Sequence, residues 1–386
     1  MSNIPKLRFP EFSGEWEKSE LGKFTQEITR VNSNSDAPIM MISAANGFIL
    51  QSNKYSKEMT GQSLKKYIEL HAGEFAYNHG ASKLKKYGAC FCLDLDKARI
   101  PFVYHCFKLT EGNTKFFSYL LNRTQLDSEL ARYISSSARM DGLLNISYTD
   151  YMKINISVPT LAEQQKIADF LSNVDSIITA ETKILNTLQK KKKALMQKLF
   201  TRQLRFKSDD GTDFPAWEEK KVIDFAKVDT GANNTQDKVE DGPYPFYVRS
   251  PIIYRSNKYI FDFPEAVLTV GDGVGTGKVF HYVQGKFDCH QRVYVIHDFE
   301  NVLGKYFYFY FSEKFYARVK PMSAKNSVDS VRREMITDMK IPIPCKAEQQ
   351  KIADCLSSMD SLIQTQQKVV TTWQQRKKAL LQQMFI

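Results

Sequence analysis

Two stretches of the chain repeat apolar residues at alternating steps of four and three. The first runs through Ile167, Leu171, Val174 and Ile178, then Leu185, Leu188, Leu195 and Leu199. The second runs through Ile352, Leu356, Met359 and Ile363, then Val370, Trp373, Leu380 and Met384. That spacing lays one apolar stripe along an α-helix and is the seam of a coiled coil. Polar residues break both seams at equivalent places, Glu181 and Gln366, then Lys192 and Lys377. A polar residue in a seam costs stability and fixes register, so two helices with matching defects are natural partners. The long segment between them makes an antiparallel pairing the simplest closure.

The two helices are copies. Ala162-Glu163-Gln164-Gln165-Lys166-Ile167-Ala168-Asp169 recurs letter for letter as Ala347-Glu348-Gln349-Gln350-Lys351-Ile352-Ala353-Asp354, each preceded by a proline, Pro159 and Pro344. Thr160-Leu161-Ala162-Glu163 has the capping-box pattern, with Thr160 as N-cap and Glu163 reaching back. Cys345 stands at the equivalent place in the second copy, which predicts a weaker start. A fainter echo opens each half: Leu7-Arg8-Phe9 then Trp16-Glu17, and Leu204-Arg205-Phe206 then Trp217-Glu218. The order is therefore head, helix, head, helix, with predicted divisions at residues 1–158, 159–203, 204–343 and 344–386. The two heads share little sequence with each other.

Composition narrows the class. Of the 386 residues, 42% are hydrophobic and 25% charged, as in globular proteins. No apolar run is long enough to cross a bilayer, and Met1–Lys6 lacks the pattern of a signal peptide, so a cytoplasmic protein is expected. Cys90, Cys92, Cys106, Cys289, Cys345 and Cys355 lack C-x-x-C spacing and read as buried thiols rather than metal ligands. The net charge of +11 favours a polyanionic partner, most commonly nucleic acid. Helices of roughly 40 residues span about 60 Å, more than one turn of B-DNA at roughly 35 Å. Such a rod could hold two heads over separated half-sites.

The hydrophobic-proline step, the Glu-Gln-Gln-Lys-Ile-Ala run and the long heptad helix, present twice behind two unlike heads, resemble the specificity subunits of type I restriction–modification systems. The resemblance covers nearly the whole chain. It implies an α+β fold: two mixed α/β target-recognition domains, separated and followed by long helices that pair as an antiparallel coiled coil with an internal pseudo-twofold repeat. It implies that each head reads one half of a bipartite, asymmetric double-stranded DNA target. It implies that the helical segments, with Glu163, Gln164, Gln165, Lys166, Glu348, Gln349, Gln350 and Lys351, set half-site spacing and dock two adenine methyltransferase subunits. Restriction and translocase subunits would join that core. S-adenosylmethionine, and ATP with magnesium, would belong to those partners and not to this chain.

The sequence offers no catalytic motif of its own. No Pro-Pro pair is present to begin the loop with which such methyltransferases hold a flipped base. The run Gly271-Asp272-Gly273-Val274-Gly275-Thr276-Gly277-Lys278 fails the phosphate-loop pattern, because Asp272 and Val279 stand where Gly and Ser/Thr are needed. It reads instead as a glycine-rich loop between strands. No residues are expected to be catalytic or to bind metal.

Phosphate contact needs Lys, Arg and small polar groups, and base reading needs similar side chains in a groove. In head one these collect in the loop-like run Tyr77–Lys86, giving Asn78, His79, Ser82, Lys83, Lys85 and Lys86 as candidates. In head two the counterpart is Asp272 and Lys278, with His290, Gln291 and Arg292 on the following strand. A small-polar basic loop ends each head, bearing Ser136 and Arg139 in one and Lys325 and Asn326 in the other. The aromatic run Tyr306–Phe311 and its equivalent Lys115–Leu120 read as core. The run Lys190–Lys193 suits a helix C-terminus.

Overall fold

The computed structural model describes residues 3–53, 62–80, 82–134, 144–273, 275–323 and 330–386. Contacts divide the chain into two compact units, Met1–Glu181 with Val369–Ile386, and Thr182–Lys368. Each unit holds one head together with part of each long helix.

Head one runs through β1 (Glu17–Glu20), β2 (Thr25–Glu27), β3 (Met40–Ser43), β4 (Gly47–Leu50), β5 (Ile68–His71), β6 (Phe75–Asn78), β7 (Ala89–Cys92), β8 (Lys97–Ile100) and β9 (His105–Leu109). Three helices follow, α1 (Thr114–Leu121), α2 (Asp127–Tyr133) and α3 (Tyr148–Met152), and β10 (Asn155–Val158) closes the head. The central sheet has the order β2-β9-β6-β7, flanked by the pairs β3–β4 and β5–β8. Asn113 caps α1 by accepting from the Phe116 backbone N–H, and α1 buries Phe116, Phe117 and Leu120. Helix α4 (Leu161–Phe200) leads away from β10.

Head two contains β11 (Glu218–Lys221), β12 (Lys227–Thr230), β13 (Tyr244–Tyr247), β14 (Ile253–Ser256), β15 (Phe261–Val270), β16 (Phe280–Cys289) and β17 (Val293–His297). Then come α5 (Gly304–Ser323), α6 (Arg333–Thr337), β18 (Lys340–Ile343) and the second long helix, α7 (Lys346–Met384). Six strands form one sheet, β12-β17-β15-β16-β13-β14. Tyr306, Phe307, Phe309, Phe311 and Phe315 of α5 are wholly buried, so the aromatic run is core.

Both heads close in the same way. β1 pairs antiparallel with β10, Glu17 opposite Val158, and β11 pairs antiparallel with β18, Glu218 opposite Ile343. The first strand of each head is thus zipped to its last, immediately before the helix. This explains why the Trp-Glu echo and the proline step recur together.

The long helices run antiparallel within each unit. In the first, Lys377 of α7 meets Asp175 of α4 at 2.5 Å; in the second, Lys192 of α4 meets Asp360 of α7 at 2.5 Å. The two seam lysines are the matching defects seen in the sequence, and each finds an aspartate at the equivalent place in the other helix, Asp175 or Asp360. Burial along the seam is deepest where a head packs against it. Ile167, Leu171, Leu199, Ile352 and Leu356 are almost wholly buried, whereas Ile178 and Ile363 are half-exposed.

The start of each helix departs from the expected capping box. Glu163 does not turn back to its cap. It accepts from Arg8 (2.8 and 2.7 Å) and from the Trp16 indole (3.2 Å), while its own backbone N–H donates to Thr160 Oγ1 at 3.5 Å. Glu348 repeats the arrangement with Arg205 (3.0 and 2.7 Å) and Trp217 (2.8 Å). Gln164 accepts from the Asn113 N–H and donates to the Pro159 carbonyl; Gln349 accepts from the Leu303 N–H and donates to the Pro344 carbonyl. These glutamates and glutamines lie within the protein, 0–5% exposed. Glu163, Gln164, Glu348 and Gln349 therefore do not form the partner-docking surface expected of them. A buried carboxylate or amide must find partners; the glutamates find them on the head's own leading segment, and the glutamines on backbone groups at the start of the head's helix and at the proline step. α7 begins at the residue equivalent to the start of α4 even though Cys345 offers no hydroxyl, because Gln349 and Glu348 hold the junction from inside.

Cys90, Cys106 and Cys289 are buried, with burial pushing the Cys90 thiol up to about 12. Cys92, Cys345 and Cys355 are only half-buried, short of the burial expected for all six.

Candidate nucleic-acid interface

In head two, backbone bonds draw five segments to one place. The Gly271 N–H donates to the Arg292 carbonyl (2.7 Å), and the Val331 N–H donates to the Gly271 carbonyl (2.7 Å). The His290 N–H donates to the Tyr247 carbonyl (2.9 Å), and the Gln291 N–H to the Asn233 carbonyl (2.9 Å). Gly271 makes the approach feasible, since a Cβ there would stand 2.9 Å from the Arg292 carbonyl oxygen and 3.1 Å from the Tyr294 ring. The resulting cleft, of about 680 Å³, is lined by Thr230, Asp272, Gln291, Arg292, Tyr294 and Arg333 among others.

The glycine-rich run lies in a loop between β15 and β16, as expected. His290, Gln291 and Arg292 do not lie on a strand. They form the turn between β16 and β17, closed by the Val293 N–H on the His290 carbonyl. His290 is buried, and its Nδ1 accepts from the Arg292 N–H at 2.9 Å. Burial, followed by the neighbouring Arg249, holds the imidazole below its ordinary pKa, so the ring supports the turn as a neutral acceptor. Asp272 forms ion pairs with Arg249 (3.3 Å) and Arg292 (3.7 Å), whose side chains are 48% and 65% exposed. Lys278 is exposed and sits over the Tyr316 ring at 4.9 Å. The structure thus brings Asp272, His290 and Arg292 together and adds Arg249 and Arg333. Sequence reading missed these two, although the Arg332-Arg333 pair just after the small-polar loop was a visible signal.

Head one distributes its candidates differently. Tyr77 and Asn78 end β6 and His79 follows it directly, so this run is no exposed loop. Asn78 donates to the Ile42 carbonyl and accepts from the Gly80 N–H. His79 is buried, with its ring nitrogens facing the carbonyl oxygens of Leu144 (2.7 Å) and Val103 (2.9 Å), and stacks on His105 with 5.0 Å between ring centroids. These two residues position the strand end and are not free to reach a groove. Lys85 is half-buried and donates to the Asn122 carbonyl; its desolvation lowers its pKa. Ser82 accepts from the Lys85 N–H in a turn that presents Lys83, Leu84 and Lys86 to solvent. Lys83 and Lys86 remain the accessible cations of this segment.

Ser136 and Arg139 in head one, and Lys325 and Asn326 in head two, lie outside the described residues. On the helices, Gln165, Lys166 and Gln350 are exposed and Lys351 is half-exposed, so these members of the repeated motif are accessible to a partner. Among the described residues no cluster of metal-binding side chains occurs, and no helix is long and apolar enough to cross a membrane.

A family model, the type I restriction modification DNA specificity domain, matches this chain twice, over residues 22–190 and 216–372. The chain is similar to the type I restriction enzyme MjaVIII specificity subunit of Methanocaldococcus jannaschii, 25% identical over 64% of this chain and 65% of that one, just under two thirds of its length. It is similar to the putative MjaX specificity subunit of the same organism, 23% identical over 98% of this chain and 95% of that one. The solved S subunit of a type I restriction-modification system from M. genitalium shares the fold, with a TM-score of 0.65, 13% identity and 99% of each chain covered. A chain from a solved type I R-M system also shares it, with a TM-score of 0.53 and 14% identity over 96% of this chain and 97% of that one.

Proposed function

The chain belongs to the family of type I restriction modification DNA specificity domains, and on that premise we propose that it is the non-catalytic specificity subunit of such a system. Each head reads one half of a bipartite DNA target. The single observation that carries this reading is structural duplication joined to divergence. The same Arg–Glu–Trp junction and the same first-to-last strand closure hold two heads whose sheets differ. A mount repeated within the chain and carrying two unlike heads suits a protein whose frame is fixed by its partners and whose recognition varies.

The exposed part of the repeated motif, Gln165, Lys166, Gln350 and Lys351, supports a docking role toward two methyltransferase subunits. The antiparallel helices act as the spacer that sets half-site separation. Restriction and translocase subunits join that core. S-adenosylmethionine, and ATP with magnesium, belong to the partners. DNA contact in head two is supported by the cleft bearing Arg292 and Arg333, with Arg249 paired to Asp272 of its lining, and in head one by Lys83 and Lys86, which suit phosphates.

The test is to assemble the chain with its methyltransferase partner and map methylated adenines. Exchanging residues 206–343 for those of another specificity subunit is expected to change one half-site and leave the other intact. A target changed on both sides, or on neither, refutes the division of labour.

A further inference from the structure

Arg292 is the best-placed exposed group in head two. Its backbone is pinned on both sides, the N–H donating to His290 Nδ1 and the carbonyl accepting from Gly271. Its side chain is 65% exposed, with Nε 3.7 Å from an Asp272 oxygen, an ion pair that biases its direction without a hydrogen bond. That ion pair engages Nε, the inner nitrogen, and so leaves the terminal Nη1–Nη2 fork outside it. Arg249 differs, because Asp272 takes one of its terminal nitrogens. A fork of two parallel donors on a fixed stem matches the O6 and N7 acceptors of guanine in the major groove, whereas a phosphate contact needs no such fixing.

We propose that Arg292 reads a guanine in the half-site of head two, with Asp272 as the positioning residue that aims its guanidinium. This rests on head two being a DNA reader and deepens that reading by naming the base. Asp272 shares its carboxylate between two arginines, which biases both side chains toward it and lowers the ordering cost on binding. Gly271 and the β16–β17 turn set the distance, so the device depends on the glycine at the end of β15.

The experiment uses the chain assembled with its methyltransferase partner, acting on a DNA library randomised across the half-site, with methylation read by sequencing. Arg292→Ala is expected to abolish preference for guanine at one position of one half-site, a loss of about tenfold or more in discrimination. Preferences at the other half-site should stay as they were. Arg292→Lys is expected to keep only a weakened preference for guanine at that position, because an ammonium can donate to O6 and N7 but lacks the planar fork. Asp272→Asn should blunt the same position by a smaller factor, and adding it to Arg292→Ala should change nothing further.

A uniform fall in methylation across all sequences, restored by lysine, makes Arg292 a phosphate contact and overturns the proposal. An unchanged guanine preference overturns it as well. Failure of the underlying reading has its own signature: exchange of residues 206–343 then leaves the target unaltered. Where the alanine variant does not assemble, the lysine variant, which keeps charge and length, carries the test.

Discussion

Replacing Glu163 with glutamine removes a negative charge from a carboxylate that is 1% exposed and accepts three hydrogen bonds, two from Arg8 and one from Trp16. The amide keeps one acceptor oxygen but turns its NH2 against guanidinium donors. Breaking a buried pair by removing one partner costs about 3–5 kcal/mol. Arg8 retains the Ser13 and Gly14 carbonyls as acceptors and 13% exposure, which places the expected cost near the lower end, about 3 kcal/mol. At the second junction Arg205 is 29% exposed, so water recovers more of the loss and Glu348→Gln is expected to cost about 2 kcal/mol. Amide hydrogen exchange is the suitable assay because the two units need not unfold together. Glu163→Gln should lower protection in β1 and β10 and leave β11 and β18 unchanged, with the reverse for Glu348→Gln. The paired change Arg8→Met with Glu163→Met should recover only part of the loss, since apolar groups replace the buried pair at little cost but leave the Trp16 indole N–H without its acceptor. If Glu163→Gln leaves β1 and β10 protected to within about 0.5 kcal/mol, the junction does not clamp the head and the reasoning fails.

Gln349→Ala should cost about 2–3 kcal/mol, because it strips partners from the Leu303 N–H and the Pro344 carbonyl; urea unfolding compared with Gln350→Ala, an exposed control, checks this. In the seam, Asp360→Ala should lower the melting temperature by stranding Lys192, which is 19% exposed, whereas Lys192→Leu should hold or raise it while weakening register; a rise for Asp360→Ala would contradict the pairing. Burial lowers the His105 pKa, with the backbone bond to Ile146 opposing it. A histidine whose folded pKa is depressed contributes fully above its unfolded value of about 6.5 and loses that contribution as pH falls toward the folded value. Stability of head one should therefore fall from pH 7 to 5.5 by up to about 1.4 kcal/mol per pH unit for this proton, and His105→Gln should flatten the slope in thermal melts.

How much was legible depended on whether the pattern was periodic. The heptad spacing and the letter-for-letter repeat carried the two helices and their antiparallel pairing, because helical faces are fixed by sequence separation alone. The aromatic runs read as core for the same reason. The recognition residues obey no period. Tyr77–His79 carries polar side chains and reads as a loop, but it is the end of β6 and the residue after it, where Asn78 and His79 are consumed by backbone carbonyls. His290–Arg292 reads as strand and is a turn, because the chain leaves β16 there and re-enters the sheet as β17 on the other side of β15.

The repeated Glu-Gln-Gln-Lys motif shows the division most clearly. By itself the sequence determined that the motif occurs twice, at the start of two helices, and that something selects it twice. Only the tertiary structure decided which of its side chains face inward. Glu163 and Glu348 are drawn in because Arg8 and Arg205, some 150 residues earlier in the chain for the first and somewhat fewer for the second, arrive on strand-leading segments that no local pattern connects to them. A buried charge is stable only beside its partner, and that partner is brought by the closure of each head, β1 on β10 and β11 on β18.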